Sequence, residues 1–416
     1  MEKLVVSAPV ETANSKAAIS GMSEEGETLL DSKVDKHHSH GTEVMASRAE
    51  RLTSFSVEDF KIPSGFEEEW RFTPVKKLAN LFSETPGEVA AVDYAIELPE
   101  GVVEGSLAIG QAPRGTALVP ADRAAAVASA DVAAAHYFGI PAGQELSEPL
   151  KLTITGQGEG LRANSHCVLE AGANSRAVVI LDHHGSADFN GNLEIIVGEG
   201  AELTVVSVQR WEDTAKHLGQ HDALIAKDAK YKHVAVTLGG AIVRLNVNAR
   251  YAGEGAEAEL FGLYFADAGQ HLEHRTYIDH NVPNSKSNVL YKGALQGAQA
   301  HTVWVGDVLI QKQAVGTDSY EKNQNLILTD GARADSVPNL EIETGLIEGA
   351  GHASSTGRFD DEHLFYLMAR GISERDARLL VVRGYLNEVI QKIKVPALEA
   401  ELVEALEREL EASGAL

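Results

Sequence analysis

The chain has 416 residues, 44% of them hydrophobic, with 36 basic against 61 acidic residues and a formal charge of −25. That length suffices for two or three domains with a substantial core, while the acidic balance argues against nucleic acid, whose phosphates require a concentrated positive surface. No stretch reaches the apolar length of a membrane span, and Met1–Ser7 lacks the basic-then-apolar order of a secretory leader, so the expected location is the cytoplasm.

Residues 1–50 are rich in Ser, Glu, Lys, Ala and Gly without an apolar period, and read as a mostly disordered tail. Within it, His37, His38 and His40 form either a weak divalent-metal tract or a solvated polar run. Residues 51–139 read as an N-terminal α/β segment, with a short helix after Trp70–Pro74 and an alanine-rich helix over Ala124–Tyr137.

Over residues 140–348 the pattern turns to short β runs between tight turns. A polar–Gly–Ala–polar echo recurs at 171–174, 199–202, 254–257 and 330–333. Strands such as Glu202–Val208 and Ala241–Val247 follow or flank these turns. Many short strands with little helix between them point to a β-solenoid, sandwich or barrel, and a reused turn leans towards the solenoid. Cys167, the single cysteine, lies here and reads as a small buried hydrophobe. One cysteine excludes an intramolecular disulfide, and also any cluster or zinc site made from several thiolates of this chain.

Residues 349–416 read as a C-terminal helical domain, entered through a glycine-rich turn that presents His352. Asp360 or Asp361 caps a helix bearing Leu364, Phe365, Leu367 and Met368, which Gly371 ends. Ser373, with Asp376 three residues on, starts a second helix, and Pro396 opens a third to about Ala412.

Self-contained catalytic signatures are missing: there is no G-x-x-x-x-G-K-[ST], no Rossmann fingerprint, no G-x-S-x-G and no H-E-x-x-H. Histidines are the remaining chemical candidates. His183 and His184 adjoin and would point to opposite faces of a strand, while His271, His274 and His280 read as structural or surface groups. His352 differs in its small-residue setting, which exposes an imidazole suited to ligating iron or relaying protons near neutrality.

Several segments, in order, carry a family resemblance. Glu69–Thr73, Thr317–Leu328, Pro338–Ile342, Leu364–Leu367 and Arg370–Ile372 resemble segments of the SufB/SufD family of iron–sulfur cluster assembly scaffolds, on its SufD side. His352 coincides with the histidine of the family's C-S-H-G-A-T-x-G motif. The chain departs from the pattern at Ala350, where the family has cysteine, at Arg358 and at Glu321, where glutamine is usual.

The resemblance implies a mainly β fold, a right-handed β-helix core between the N-terminal segment and the C-terminal helices. It implies a scaffold rather than an enzyme, paired with a SufB-type subunit and docking a SufC-type ATPase on the helices between Asp360 and Ile393. It further implies no cofactor held stably by this chain alone, only a transient iron–sulfur cluster or iron at the partner interface, with His352 as ligand or proton relay. Whether the isolated chain pairs with itself as a homodimer is left open by the sequence. Val289–Ile310 is the expected contact region, and the β body is expected to stay folded without the residues after Gly357. The competing classes are a structural β-solenoid interaction protein and a polysaccharide-active β-helix enzyme.

Overall fold

The computed structural model describes residues 50–412, positions 89 and 360 excepted. The tail expected over 1–50, with His37, His38 and His40, therefore lies outside the described residues except for Glu50, and so does the capping candidate Asp360.

Two 3-10 helices, Val57–Asp59 and Val75–Phe82, the second where a short helix was expected, precede strands β1 (Val92–Glu97) and β2 (Val103–Ala108), then helix α1 (Arg123–Asp131) and strands β3 (Ala134–Ile140), β4 (Leu150–Ala171) and β5 (Arg176–Val197). Regular coils follow: β6 (Glu202–Trp211), β7 (Lys216–Ile225), β8 (Lys230–Thr237), β9 (Ile242–Tyr251), β10 (Glu257–Ala266) and β11 (His271–His280). The last coils hold β12 (Lys286–Leu295), β13 (His301–Ile310), β14 (Asp318–Ile327), β15 (Arg333–Ile342) and β16 (Gly349–Arg358). Helices α2 (Asp361–Met368), α3 (Glu374–Ile390) and α4 (Pro396–Ala412) close the sequence.

Every pairing from β5 onward is parallel, and β5 changes walls midway. Arg176–Gly185 pairs with β6, and Asp188–Val197 pairs with β7. Even-numbered strands β6 to β16 then stack as one wall and odd-numbered strands β7 to β15 as the other. This is a parallel β-solenoid, the architecture towards which the echo leaned. Along β6, Leu203, Val205 and Trp211 point into the lumen, while Val206 and Val208 point outward. The lumen is filled by side chains from both walls, from Leu150 to Ile310.

Two devices pin the register. At successive corners, Asn174 (φ 56), Gly200 (φ 65), Asp228 (φ 54), Gly255 (φ 73), Asn284 (φ 57) and Gly316 (φ 73) take the left-handed conformation that Gly, Asn and Asp tolerate best. Each coil therefore turns at an equivalent point, which the echo marks at Gly200, Gly255 and Gly331, whereas its match at 171–174 is two residues out of phase, since Asn174 is the equivalent of Gly200. At the strand starts, Glu202, Lys230, Glu257, Lys286 and Asp318 lie opposite one another with alternating charge. Exposed pairs of this kind contribute only about 0–1 kcal/mol each, but a slip of one coil would bring like charges together.

Both walls are covered outside. The N-terminal segment lies on the odd wall: Trp70 is buried under the Arg244 guanidinium, 4.0 Å from its ring centre. Thr73 Oγ1 donates to Glu273 (2.7 Å), and the Glu69 carbonyl accepts from Arg275 (2.9 Å). The Glu69–Thr73 motif is thus a clamp. Asp122 caps α1 by accepting from the Ala125 N–H (2.9 Å) and also receives Arg244 (3.1 Å). On the even wall, Val382, Leu386, Val389 and Ile390 of α3 pack with Leu402 and Leu406 of α4 over Val206, Val234, Phe261 and Leu263.

Three local expectations change. The alanine-rich helix stops at Asp131, and Ala134–Ile140 is a strand because β2 and β4 flank it and satisfy its backbone. Gly349–Arg358, read as a turn, is the final strand, paired along its length with β14. Val289–Ile310 is not an edge: β12 lies between β10 and β14, and β13 between β11 and β15. Among the described residues, β15 and β16 each keep one side without a strand partner at this end of the solenoid, as β1 and β2 do at the N-terminal end.

Candidate functional site

The last coil has no following coil to bury it, so β15 and β16 are intermediate to exposed throughout. On β16, Ala350 packs on the lumen core, and strand alternation places His352, Ser354 and Thr356 on the same lumenal side. His352 is therefore a strand residue at the open mouth of the solenoid, its side chain 42% exposed. The sequence reading had it in a loop; the exposure stands, but the mouth of the solenoid causes it.

Register places Glu321 of β14 directly opposite His352. Glu321 is buried, with Oε1 3.8 Å from His352 Nδ1. Neither Glu321 oxygen has a hydrogen-bond partner among the described residues. Loss of solvent, reinforced by the nearby Asp307 carboxylate, pushes its pKa up to about 8. Behind it the lumen is closed by Gly306 and Trp304, where a Cβ on Gly306 would collide with both the indole and the Glu321 carboxylate. The identity of residue 321 was noted in the sequence only as a departure from glutamine. Its pairing with His352 depends on coil register and carries no local signal.

Next to this pair lies a satisfied polar network. Asn323 Nδ2 donates to Tyr264 Oη (2.8 Å), Tyr264 Oη to Asn325 Oδ1 (2.8 Å), and Ser336 Oγ to Asn323 Oδ1 (2.6 Å). Asn325 Nδ2 donates to Asn323 Oδ1 at 2.8 Å. The Thr317–Leu328 motif thus supplies the two asparagines of the network and Glu321, and Pro338–Ile342 is part of the facing strand β15. Buried amides that are fully paired in this way rigidify the wall beneath the mouth.

The other histidines belong to the body. His183 is on a strand, buried, and bonds to the Val208 carbonyl (2.9 Å), while His184 lies 3.0 Å from Asp182. His274 bonds Thr237 (2.9 Å) and stacks on Tyr264, and His280 bonds Ser285 (2.7 Å) and Ser287 (2.9 Å). His271 joins Glu273 (3.2 Å) in the clamp and lies 3.1 Å from His301. Burial lowers His183 to about 4 and His233, His274 and His280 to about 3. Cys167 is buried and unpaired, its thiol raised to about 12 by burial.

Of the helical motifs, Leu364 is buried, whereas Phe365, Tyr366 and Met368 of α2 and Leu380 of α3 are exposed. Among the described residues no helix is long and apolar enough to cross a membrane, and no three His, Cys, Asp or Glu side chains cluster as a complete metal site.

Comparison with known proteins bears on this geometry. Residues 153–385 match the family described as SUF system FeS cluster assembly, SufBD core domain. The chain is 48% identical over 371 residues to an iron-sulfur cluster assembly SufBD family protein of Mycobacterium tuberculosis, covering 88% of this chain and 94% of that one. A Mycobacterium leprae SufBD family protein is 47% identical over 377 residues, covering 89% and 96%. The iron-sulfur cluster assembly protein SufD of Escherichia coli is 26% identical over 278 residues, covering 64% of each chain.

Proposed function

The chain belongs to the SufBD family of iron–sulfur cluster assembly proteins of the SUF system, and on that premise we propose that it is a SufD-type scaffold subunit that builds clusters jointly with a SufB-type partner. The observation that carries this reading is His352 on the lumenal side of an open final coil, flanked by the free edges of β15 and β16. Unpaired strand edges are ready templates for a partner strand, so a second solenoid docked there would bring its own side chains over His352. The same edges would let two copies of the chain pair when it is alone.

Thiolate ligands must then come from the partner. Position 350 is alanine, and Cys167 is buried with its thiol held protonated at neutral pH. His352 would supply an imidazole to iron or move protons as sulfide and iron, the substrates of assembly, are combined. Phe365, Tyr366 and Met368 of α2 and Leu380 of α3 expose large apolar side chains of the kind that mark a protein contact. They suit a SufC-type ATPase docking on α2 and α3.

The test is reconstitution. The chain should co-elute with a SufB-type subunit and an ATPase subunit, and His352→Ala should preserve folding and complex formation while cluster assembly falls at least tenfold. A change at a half-exposed end-strand position normally shifts stability by only about 0.5 kcal/mol, so unfolding would not account for the loss. His184→Ala, which removes an imidazole from the body, is the control. Assembly at the wild-type rate by the His352→Ala complex would leave the chain a purely structural scaffold.

A further inference from the structure

Buried carboxylates are rarely left without a partner, because an ionised oxygen removed from water loses several kcal/mol unless it is paired or bound to a cation. Glu321 is 3% exposed, has two oxygens without a hydrogen-bond donor among the described residues, and directs one of them towards the half-exposed imidazole of His352. We propose that Glu321 and His352 together form a half-site for a divalent metal ion, with ferrous iron as its cargo. The proposal rests on the assembly role given above and adds a ligand to it.

The geometry fits an ion between the two groups. Two ligand atoms each about 2.1 Å from one ion lie about 3.0–4.2 Å apart for angles between 90° and 180°. The Oε1–Nδ1 separation of 3.8 Å lies within that range and beyond the length of a hydrogen bond. Adjacent in-register strands hold the two residues side by side, so the spacing is set by the backbone. One carboxylate oxygen and one imidazole nitrogen suit ferrous iron. Gly306 makes room for the carboxylate, and Trp304 closes the lumen behind it. The Asp307 carboxylate adds negative potential nearby. The remaining coordination positions face the open mouth, where a docked partner or water completes them.

A neutral carboxylic acid buried at position 321 would also tolerate this setting, and the two cases separate by metal binding. Cobalt(II), a redox-stable probe with ligand-field bands, is titrated into the full isolated chain carrying His37→Ala, His38→Ala and His40→Ala, so that the N-terminal histidines do not compete. The parent should bind one ion with a visible band that changes on coordination. Both Glu321→Gln and His352→Ala should weaken binding at least tenfold, and the double variant no further than the weaker single. Glu321→Asp, which keeps the charge but retracts it, should fall between, and it serves as the readout if the glutamine variant folds poorly. Parent-like affinity in Glu321→Gln, or no cobalt bound by the parent, overturns the half-site. Cluster assembly by the reconstituted complex is scored separately: loss of assembly in His352→Ala with cobalt binding intact removes the half-site and leaves the scaffold role. Cobalt binding that depends on both residues, with wild-type assembly in His352→Ala, does the reverse.

Discussion

Tyr291 lies over Gly262, and on the next strand position Tyr264 lies over Gly293, each pair directly opposite in register. All four residues face the lumen, and an added Cβ at either glycine would collide with the facing ring. The glycines are therefore volume partners of the tyrosines, and the ring positions in turn set the Tyr264 hydroxyl that anchors Asn323 and Asn325. Gly262→Ala should cost about 1–3 kcal/mol, the usual range for overpacking a filled core. Chemical denaturation of the variant against the parent measures it. A change under about 0.5 kcal/mol would mean that the rings move aside freely. Gly293→Ala, whose added Cβ would meet the Tyr264 ring and Asn325 Oδ1, should also lower cluster assembly, because Tyr264 belongs to the network beneath the mouth, though less than His352→Ala does.

At the scale of elements, the C-terminal helices act as a cover as well as a docking surface. α3 and α4 bury Val206, Val234, Val236, Phe261, Leu263 and Phe265 of the even wall, so a body ending at Gly357 would expose that whole row. The expectation that the β body survives without them is therefore replaced by its opposite: the truncated protein should be poorly soluble or lose its cooperative unfolding. A soluble truncated body with the parent's melting temperature would contradict this packing argument. Within the cover, Leu386 is fully buried, and Leu386→Ala should destabilise by about 2–5 kcal/mol through lost transfer energy and a residual cavity. ATPase docking is accordingly better tested with exposed changes such as Phe365→Ser or Tyr366→Ser, which leave that core alone.

For the molecule as a whole, the lumen's neutral histidines set its acid limit. Burial lowers His183, His233, His274 and His280 in the folded protein to about 3 to 4, from the ordinary histidine value of about 6.5. Below pH 6.5 the unfolded chain binds protons that the folded chain cannot, so stability falls as pH drops and is present in full only above that value. At pH 5 each such histidine costs about 2 kcal/mol, taking 1.36 kcal/mol per pH unit. Urea midpoints should therefore fall steeply between pH 7 and pH 5, and His280→Gln, which can keep a hydrogen bond to Ser285 or Ser287, should flatten the slope. A midpoint that does not move between those pH values would mean that the histidines are hydrated or charged in the folded state.

The solenoid was legible in the sequence because its cause is local: left-handed corners at Asn174, Gly200, Asp228 and Gly255 admit few residue types, so Gly, Asn or Asp followed by Ala or Ser recurs at them. The family was legible from the Thr317–Leu328 and Leu364–Ile372 segments. What the sequence did not show is where those residues face. Gly349–Arg358 lacks an alternating apolar pattern because it borders the open end, and only pairing with β14 makes it a strand. Val289–Ile310 looked available for contact but is interior, since edge status depends on the order of coils. The meeting of Glu321 with His352 belongs to tertiary structure alone. Local spelling sets each turn, but register is summed over a whole coil, and that sum decides which side chains share the mouth of the solenoid.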